Sequence, residues 1–133
     1  MSRSILPVAA LAAVAVVLGG CGDDDVFRTD RPLLRVTLDE YRIVPQHIVV
    51  RPGRLKIVVR NTGRQHHNLV VQVPDGPDDK PVDVPGGRVD TMQPGESGAS
   101  IKVDLKPGDY RLVCTIANHD DLGQYGELEV VKE

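Results

Sequence analysis

The sequence predicts an all-β, Greek-key sandwich of seven or eight strands, and three observations predict it. From Leu33 onward, apolar and polar residues alternate with a period of two, and β-branched residues fill many of the apolar positions. Pro-Gly pairs punctuate the alternating runs at Pro52-Gly53, Pro94-Gly95 and Pro107-Gly108, where Pro at the first central position and Gly at the second suit a type II turn. No stretch of this region sustains a period of 3.6, so helices are not expected to form its layers. Two sheets packed face to face are then the way to bury one side of each strand.

In chain order, Arg3 is followed by an apolar run from Ile5 to Leu18 and then by Gly19-Gly20-Cys21. The run is short for a bilayer span and ends in small residues before a cysteine, which reads as an export leader over residues 1–20. Leu18-Gly19-Gly20-Cys21 resembles a bacterial lipobox, and that resemblance implies lipid on Cys21 and a protein anchored to a cell membrane on its periplasmic side or outer face. Residues 21–32 contain Asp23-Asp24-Asp25 and no apolar periodicity, so after the lipidated cysteine they read as a solvated acidic tether. The domain is assigned to residues 33–133.

Within the domain, Leu55, Ile57 and Val59 alternate with Lys56 and Arg60, and Ile101, Val103 and Leu105 alternate with Lys102, Asp104 and Lys106. Each run has one dry and one wet face. In His67–Val73, Leu69, Val71 and Val73 share an apolar phase while Gln72 interrupts the other, so His67 faces the core and His66 does not. The stretch from Pro74 to Gly95 is rich in Pro, Gly and Asp, with Val82, Val84, Val89 and Met92 to anchor it. It is expected to be a long sheet-to-sheet crossover carrying at most a short strand or a helical turn. In Asp109–Cys114, Tyr110, Leu112 and Cys114 share one face, opposite Arg111.

Charge and cysteine usage narrow the function. Sixteen basic residues stand against nineteen acidic ones, a formal net charge of −3. Loss of Arg3 with a cleaved leader leaves fifteen against nineteen, or −4. With no basic cluster interleaved with aromatics, no nucleic-acid partner is expected. About 113 residues after cleavage suffice for one hydrophobic core, expected as a monomer. Of the two cysteines, lipid consumes Cys21, so Cys114 has no disulfide partner within the chain. An unpaired thiol in an exported protein calls for a reason, and metal ligation fits best.

The segment Cys114-Thr-Ile-Ala-Asn-His119-Asp-Asp-Leu-Gly-Gln124 places a thiolate, an imidazole and an amide on one loop after a strand, and the in-phase His67 offers a second imidazole. Two His nitrogens, one Cys sulfur and a weak further donor match an electron-transfer copper site, with zinc as the second candidate ion. An enzyme is not expected. Cys114 ends a strand instead of starting a helix, where a reactive thiolate is commonly stabilised, and no triad accompanies it.

The chain resembles the cupredoxin family of small blue copper proteins from about Tyr41 to Val131. The resemblance is carried by Asn61-x-Gly63-x-x-x-His67-Asn68, by Lys106-Pro-Gly108-Asp-Tyr110-x-x-x-Cys114-Thr115, and by His119-x-x-x-Gly123-Gln124-x-Gly126-x-Leu128-x-Val130. It implies that His67, Cys114 and His119 are equatorial ligands of one copper ion. Most relatives have Met where this chain has Gln124, and the spacing is similar to stellacyanin, a plant protein with a Gln axial ligand, although the disulfide of that branch has no cysteine pair here. The resemblance also implies that Asn68 ties the His67 strand to Thr115. Met92, the rival axial donor, is read as a packing residue; His47 and His66 are expected to face solvent; and Asp120 and Asp121 depart from the small or apolar residues usual around the second ligand His.

The expected function is a membrane-tethered one-electron carrier outside the cytoplasm, passing electrons to a redox partner protein. Two other readings stand beside it: a copper buffer or donor that hands its ion to a copper-receiving protein, and a cupredoxin-fold interaction module.

Overall fold

The computed structural model describes residues 25–132. The expected leader, Cys21 and the first part of the tether lie outside them. Ten strands are formed: β1 (Val26–Thr29), β2 (Leu33–Asp39), β3 (Arg42–Val44), β4 (His47–Val50), β5 (Gly53–Asn61), β6 (His67–Val73), β7 (Val82–Met92), β8 (Ser97–Leu105), β9 (Gly108–Val113) and β10 (Tyr125–Val130). They build a six-stranded sheet of order β1-β4-β10-β9-β6-β7 and a four-stranded sheet of order β3-β2-β5-β8. The sheets pack face to face as the Greek-key sandwich expected from the alternation and the turns. Among the described residues the helical element is a single 3-10 turn, Pro77–Asp79, and no helix is long and apolar enough to cross a membrane.

The core follows strand parity. Leu34, Val36 and Leu38 of β2, Leu55, Ile57 and Val59 of β5, and Val103 and Leu105 of β8 join Ile48, Leu69, Val71, Leu112 and Leu128 of the larger sheet in one buried cluster. Burial of each such Leu or Ile contributes about 1.5–3 kcal/mol. β6, flanked by β9 and β7, is also buried on its other face at Val70, which the alternation of its odd positions did not reveal.

Three features differ from the sequence-based expectations. There are ten strands instead of seven or eight, because short segments at the sheet edges count as strands once paired. One is β1, within the stretch read as a solvated tether: Val26–Thr29 stays largely exposed but pairs in parallel with β4, from Val26↔His47 to Thr29↔Val50. The third concerns Pro74–Gly95, which is not a sheet-to-sheet crossover for most of its length. Val82–Met92 is an edge strand hydrogen-bonded to β6 within one sheet, and its alternation is masked by a bulge that sets Val84–Gly87 against Val71 between the pairs Gln72↔Asp83 and Val70↔Arg88. The change of sheet is the tight corner Gln93–Glu96, where Glu96 N–H donates to the Gln93 carbonyl at 3.1 Å and Gly95 takes φ +82°, as the predicted type II turn requires.

This topology delivers the ligand segments to one end of the sandwich. β6 and β9 are antiparallel neighbours with Val70 opposite Val113, so the start of β6 at His67 and the end of β9 at Cys114 come together.

Candidate metal centre

His67 Nδ1 lies 3.9 Å from Cys114 Sγ, and His119 Nδ1 lies 3.6 Å from the same sulfur. All three donor atoms are within 4.8 Å of one another, and all three residues are buried. These separations suit one ion about 2.0–2.3 Å from each donor, the usual metal–nitrogen and metal–sulfur range. The imidazole planes are inclined at 64° with centroids 5.1 Å apart. His119 is 7 % exposed, less open than a surface ligand, and the Tyr41 ring packs against it in a T-shaped contact with centroids 5.4 Å apart.

The loop from Cys114 to Gln124 is held by its own backbone. Cys114 N–H donates to the Gln124 carbonyl at 3.1 Å, Gln124 N–H to the His119 carbonyl at 2.9 Å, and His119 N–H to the Ile116 carbonyl at 3.2 Å. These bonds fix the spacing of the thiol and the second imidazole, so little reorganisation is left for the ion to impose.

Gln124 is fully buried. Its Nε2 donates to the Asp39 carbonyl at 2.6 Å and faces the Arg42 carbonyl at 3.4 Å, which identifies the amide's nitrogen end, since a carbonyl acceptor cannot bond an amide oxygen. Its Oε1 is buried with no hydrogen-bond partner among the described residues. An orphaned buried carbonyl is costly to leave unmatched. A cation is one partner that can satisfy such an oxygen, and the two imidazole nitrogens and the thiol are a donor set that fits a metal ion.

Asn68 and Thr115 are joined as the resemblance implied. Asn68 Nδ2 donates to Thr115 Oγ1 at 2.9 Å, and Thr115 N–H donates to Asn68 Oδ1 at 2.8 Å. Met92 is packed in the hydrophobic core. His66 is exposed and contacts Gln93 Oε1 at 3.0 Å, while His47 is half-buried with Nδ1 2.9 Å from Glu127 Oε2. Neither belongs to the His67, Cys114 and His119 cluster. Asp120 is half-buried, whereas Asp121 and Leu122 beside it are exposed.

Burial and the nearby His119 hold the His67 imidazole below the usual histidine range, against the opposing pull of Glu40 and Asp39. The ring is therefore kept neutral, the form that carries a free lone pair. Partial burial pushes the Glu40 carboxyl upward, but N–H groups of Arg64 and Gln65 and the His67 ring outweigh it and leave it below its usual range.

Three residues about the site had no assigned role in the sequence reading. Glu40 and Tyr41 come from the β2–β3 turn. Buried Asn61 donates through Nδ2 to the carbonyls of Gln65, Met92 and Gln93 and accepts Gly63 N–H at 2.9 Å, tying the loop before His67 to the sheet corner. Asn61 stands in the resemblance motif, which marked the position without its role. For Glu40 and Tyr41 no local pattern pointed to the site.

No family model and no curated protein matches the chain. Among solved structures, the fold is similar to dithionite-reduced auracyanin from the photosynthetic bacterium Roseiflexus castenholzii, at TM-score 0.65 and 22% identity over 78% of this chain and 100% of that one. It is similar to auracyanin B at TM-score 0.60 and 20% identity, covering 75% of this chain and 88% of that one. Auracyanin A, a "blue" copper protein from the green thermophilic photosynthetic bacterium Chloroflexus aurantiacus, aligns at TM-score 0.55 and 17% identity over 73% of this chain and 99% of that one.

Proposed function

We propose that the domain holds one copper ion through His67 Nδ1, Cys114 Sγ and His119 Nδ1, with Gln124 Oε1 as the weak axial donor, and serves as a one-electron carrier outside the cytoplasm. The observation that carries this reading is the buried convergence of two imidazole nitrogens and one thiol, 3.6 and 3.9 Å from nitrogen to sulfur; the buried Gln124 Oε1, without a hydrogen-bond partner among the described residues, supports the choice of axial donor. The similarity to auracyanins, one of them described as a blue copper protein, supports the choice of ion. Copper supplies the exchange between its two common oxidation states.

The protein's part is to hold and shield. The polarizable thiolate of Cys114 and the two imidazoles are the donor types that serve both states, and the self-bonded loop keeps them in place whichever is present. Burial of Cys114 excludes water and oxidants from the sulfur. Tyr41, of intermediate burial, makes a T-shaped ring contact with His119, which places an aromatic side chain next to that ligand. No substrate pocket is needed for this task. The lipobox-like Leu18-Gly19-Gly20-Cys21 supports anchorage of the carrier to a membrane through lipid on Cys21.

The test is Cu(II) titration followed by visible absorption and electron paramagnetic resonance. One equivalent is expected to give an intense thiolate charge-transfer band, and Cys114→Ser is expected to abolish it because a hydroxyl lacks the polarizable sulfur. Retention of the band in Cys114→Ser would sink the ligand assignment.

A further inference from the structure

We infer that Glu40 is a positioning residue of the metal site: its carboxylate holds the far side of the His67 imidazole and thereby commits Nδ1 of that ring to the metal. The inference rests on the reading of His67 as a copper ligand.

The two nitrogens of His67 face different ways. Nδ1 faces Cys114 Sγ, whereas Nε2 is buried, lacks a full hydrogen bond, and lies 3.6 Å from Glu40 Oε1. A neutral imidazole carries one N–H, and the nitrogen that faces an anionic acceptor keeps it. With the proton on Nε2, the lone pair is on Nδ1, where the metal donor set converges.

The carboxylate is itself fixed. Glu40 Oε1 accepts the N–H groups of Arg64 and of Gln65, the latter at 3.0 Å, so it is bound to the loop that leads into His67. Thr62 N–H donates to the Leu38 carbonyl at 2.8 Å and ties the same loop to the end of β2. Gly63 leaves room for the contact. A Cβ there would run into Glu40 Oε1 and come within 3.0 Å of His67 Nε2.

The turn that carries Glu40 serves the other ligands as well. Tyr41, held at φ 55°, packs on His119, and the carbonyls of Asp39 and Arg42 take the Gln124 amide nitrogen. Four consecutive residues thus back three of the four proposed ligands. A negative charge one imidazole ring from the ion also favours the more highly charged oxidation state.

Three variants of the full chain test the inference: Glu40→Gln, Glu40→Ala and Gly63→Ala. In the metal-free protein, nitrogen-edited NMR of the His67 ring is expected to show a single Nε2–H tautomer in wild type and in Glu40→Gln, whose amide oxygen still accepts. Glu40→Ala, and independently Gly63→Ala, are expected to lose that preference. A single unchanged Nε2–H tautomer in both overturns the inference. In copper-loaded protein, Glu40→Gln removes charge and keeps geometry, so the absorption spectrum is retained. Its preference for Cu(II) over Cu(I) falls about three- to tenfold, a rise of about 30–60 mV at 59 mV per tenfold for one electron. An unchanged potential overturns the electrostatic role. Failure of wild type to take up copper would instead defeat the functional reading, while the tautomer measurement in metal-free protein still decides the role of Glu40.

Discussion

Replacing Asn68 by Ala is expected to loosen the join between β6 and the ligand loop, and the structure sets the size of the effect. Two hydrogen bonds are lost, Asn68 Nδ2 to Thr115 Oγ1 at 2.9 Å and Thr115 N–H to Asn68 Oδ1 at 2.8 Å. Each contributes a net ~1 kcal/mol. Asn68 is buried, so its truncation also leaves a small void, but Thr115 is exposed and water can take over its freed groups. The sum is about 2–3 kcal/mol. In a domain of this size 1 kcal/mol moves Tm by about 4 °C, which predicts a fall of about 8–12 °C. Calorimetry of the metal-free proteins measures this without the added stabilisation of a bound ion. Thr115→Val removes the hydroxyl partner alone, at about 1 kcal/mol, and the double variant is expected to show a coupling of about 0.5–1.5 kcal/mol. A Tm change below about 2 °C in Asn68→Ala, with no coupling, would refute the argument that this pair joins the two ligand segments.

Three further outcomes are expected. Gln124→Met should raise the reduction potential at unchanged copper stoichiometry, because a thioether is a softer donor than an amide oxygen and favours Cu(I); voltammetry showing an equal or lower potential would remove Gln124 from the ligand set. Tyr110→Phe should cost about 1 kcal/mol, since its hydroxyl accepts Lys106 N–H at 3.2 Å and donates to the Lys106 carbonyl at 3.0 Å; thermal unfolding reads the loss, and a shift of the copper spectrum would show that this corner reaches the site. Cys21→Ser should yield unprocessed or soluble protein in cell fractionation, and a processed, membrane-bound Cys21→Ser protein would contradict lipid anchorage at that residue.

Strand parity was legible because it is a local property. The run of Leu55, Ile57 and Val59 points inward as its alternation required, and the same rule chose His67 over His66 and put Leu112 and Cys114 in the interior. Parity was hidden wherever the backbone departs from a flat pleat. In β7 the bulge around Pro85-Gly86-Gly87 breaks the period, so an edge strand resembled a loop in sequence. β1 showed no apolar face because it is exposed on nearly all sides, and pairing alone makes it a strand.

By itself, then, the sequence determined an all-β sandwich, the inward phase of His67 and Cys114, the type II corner at Gln93–Glu96, and a donor set whose chemistry favours copper. Those properties are written in the period of a strand, the freedom of one glycine or the identity of a side chain. Only the tertiary structure decided that the Asp39–Arg42 turn backs the site, that Tyr41 packs against His119, and that Gln124 is oriented by two carbonyls with its oxygen unmatched. Gln124 and its carbonyl partners are separated by more than eighty residues, and Glu40 and His67 by twenty-seven. Their meeting follows from the order of strands and the packing of one sheet on the other, which no local pattern encodes.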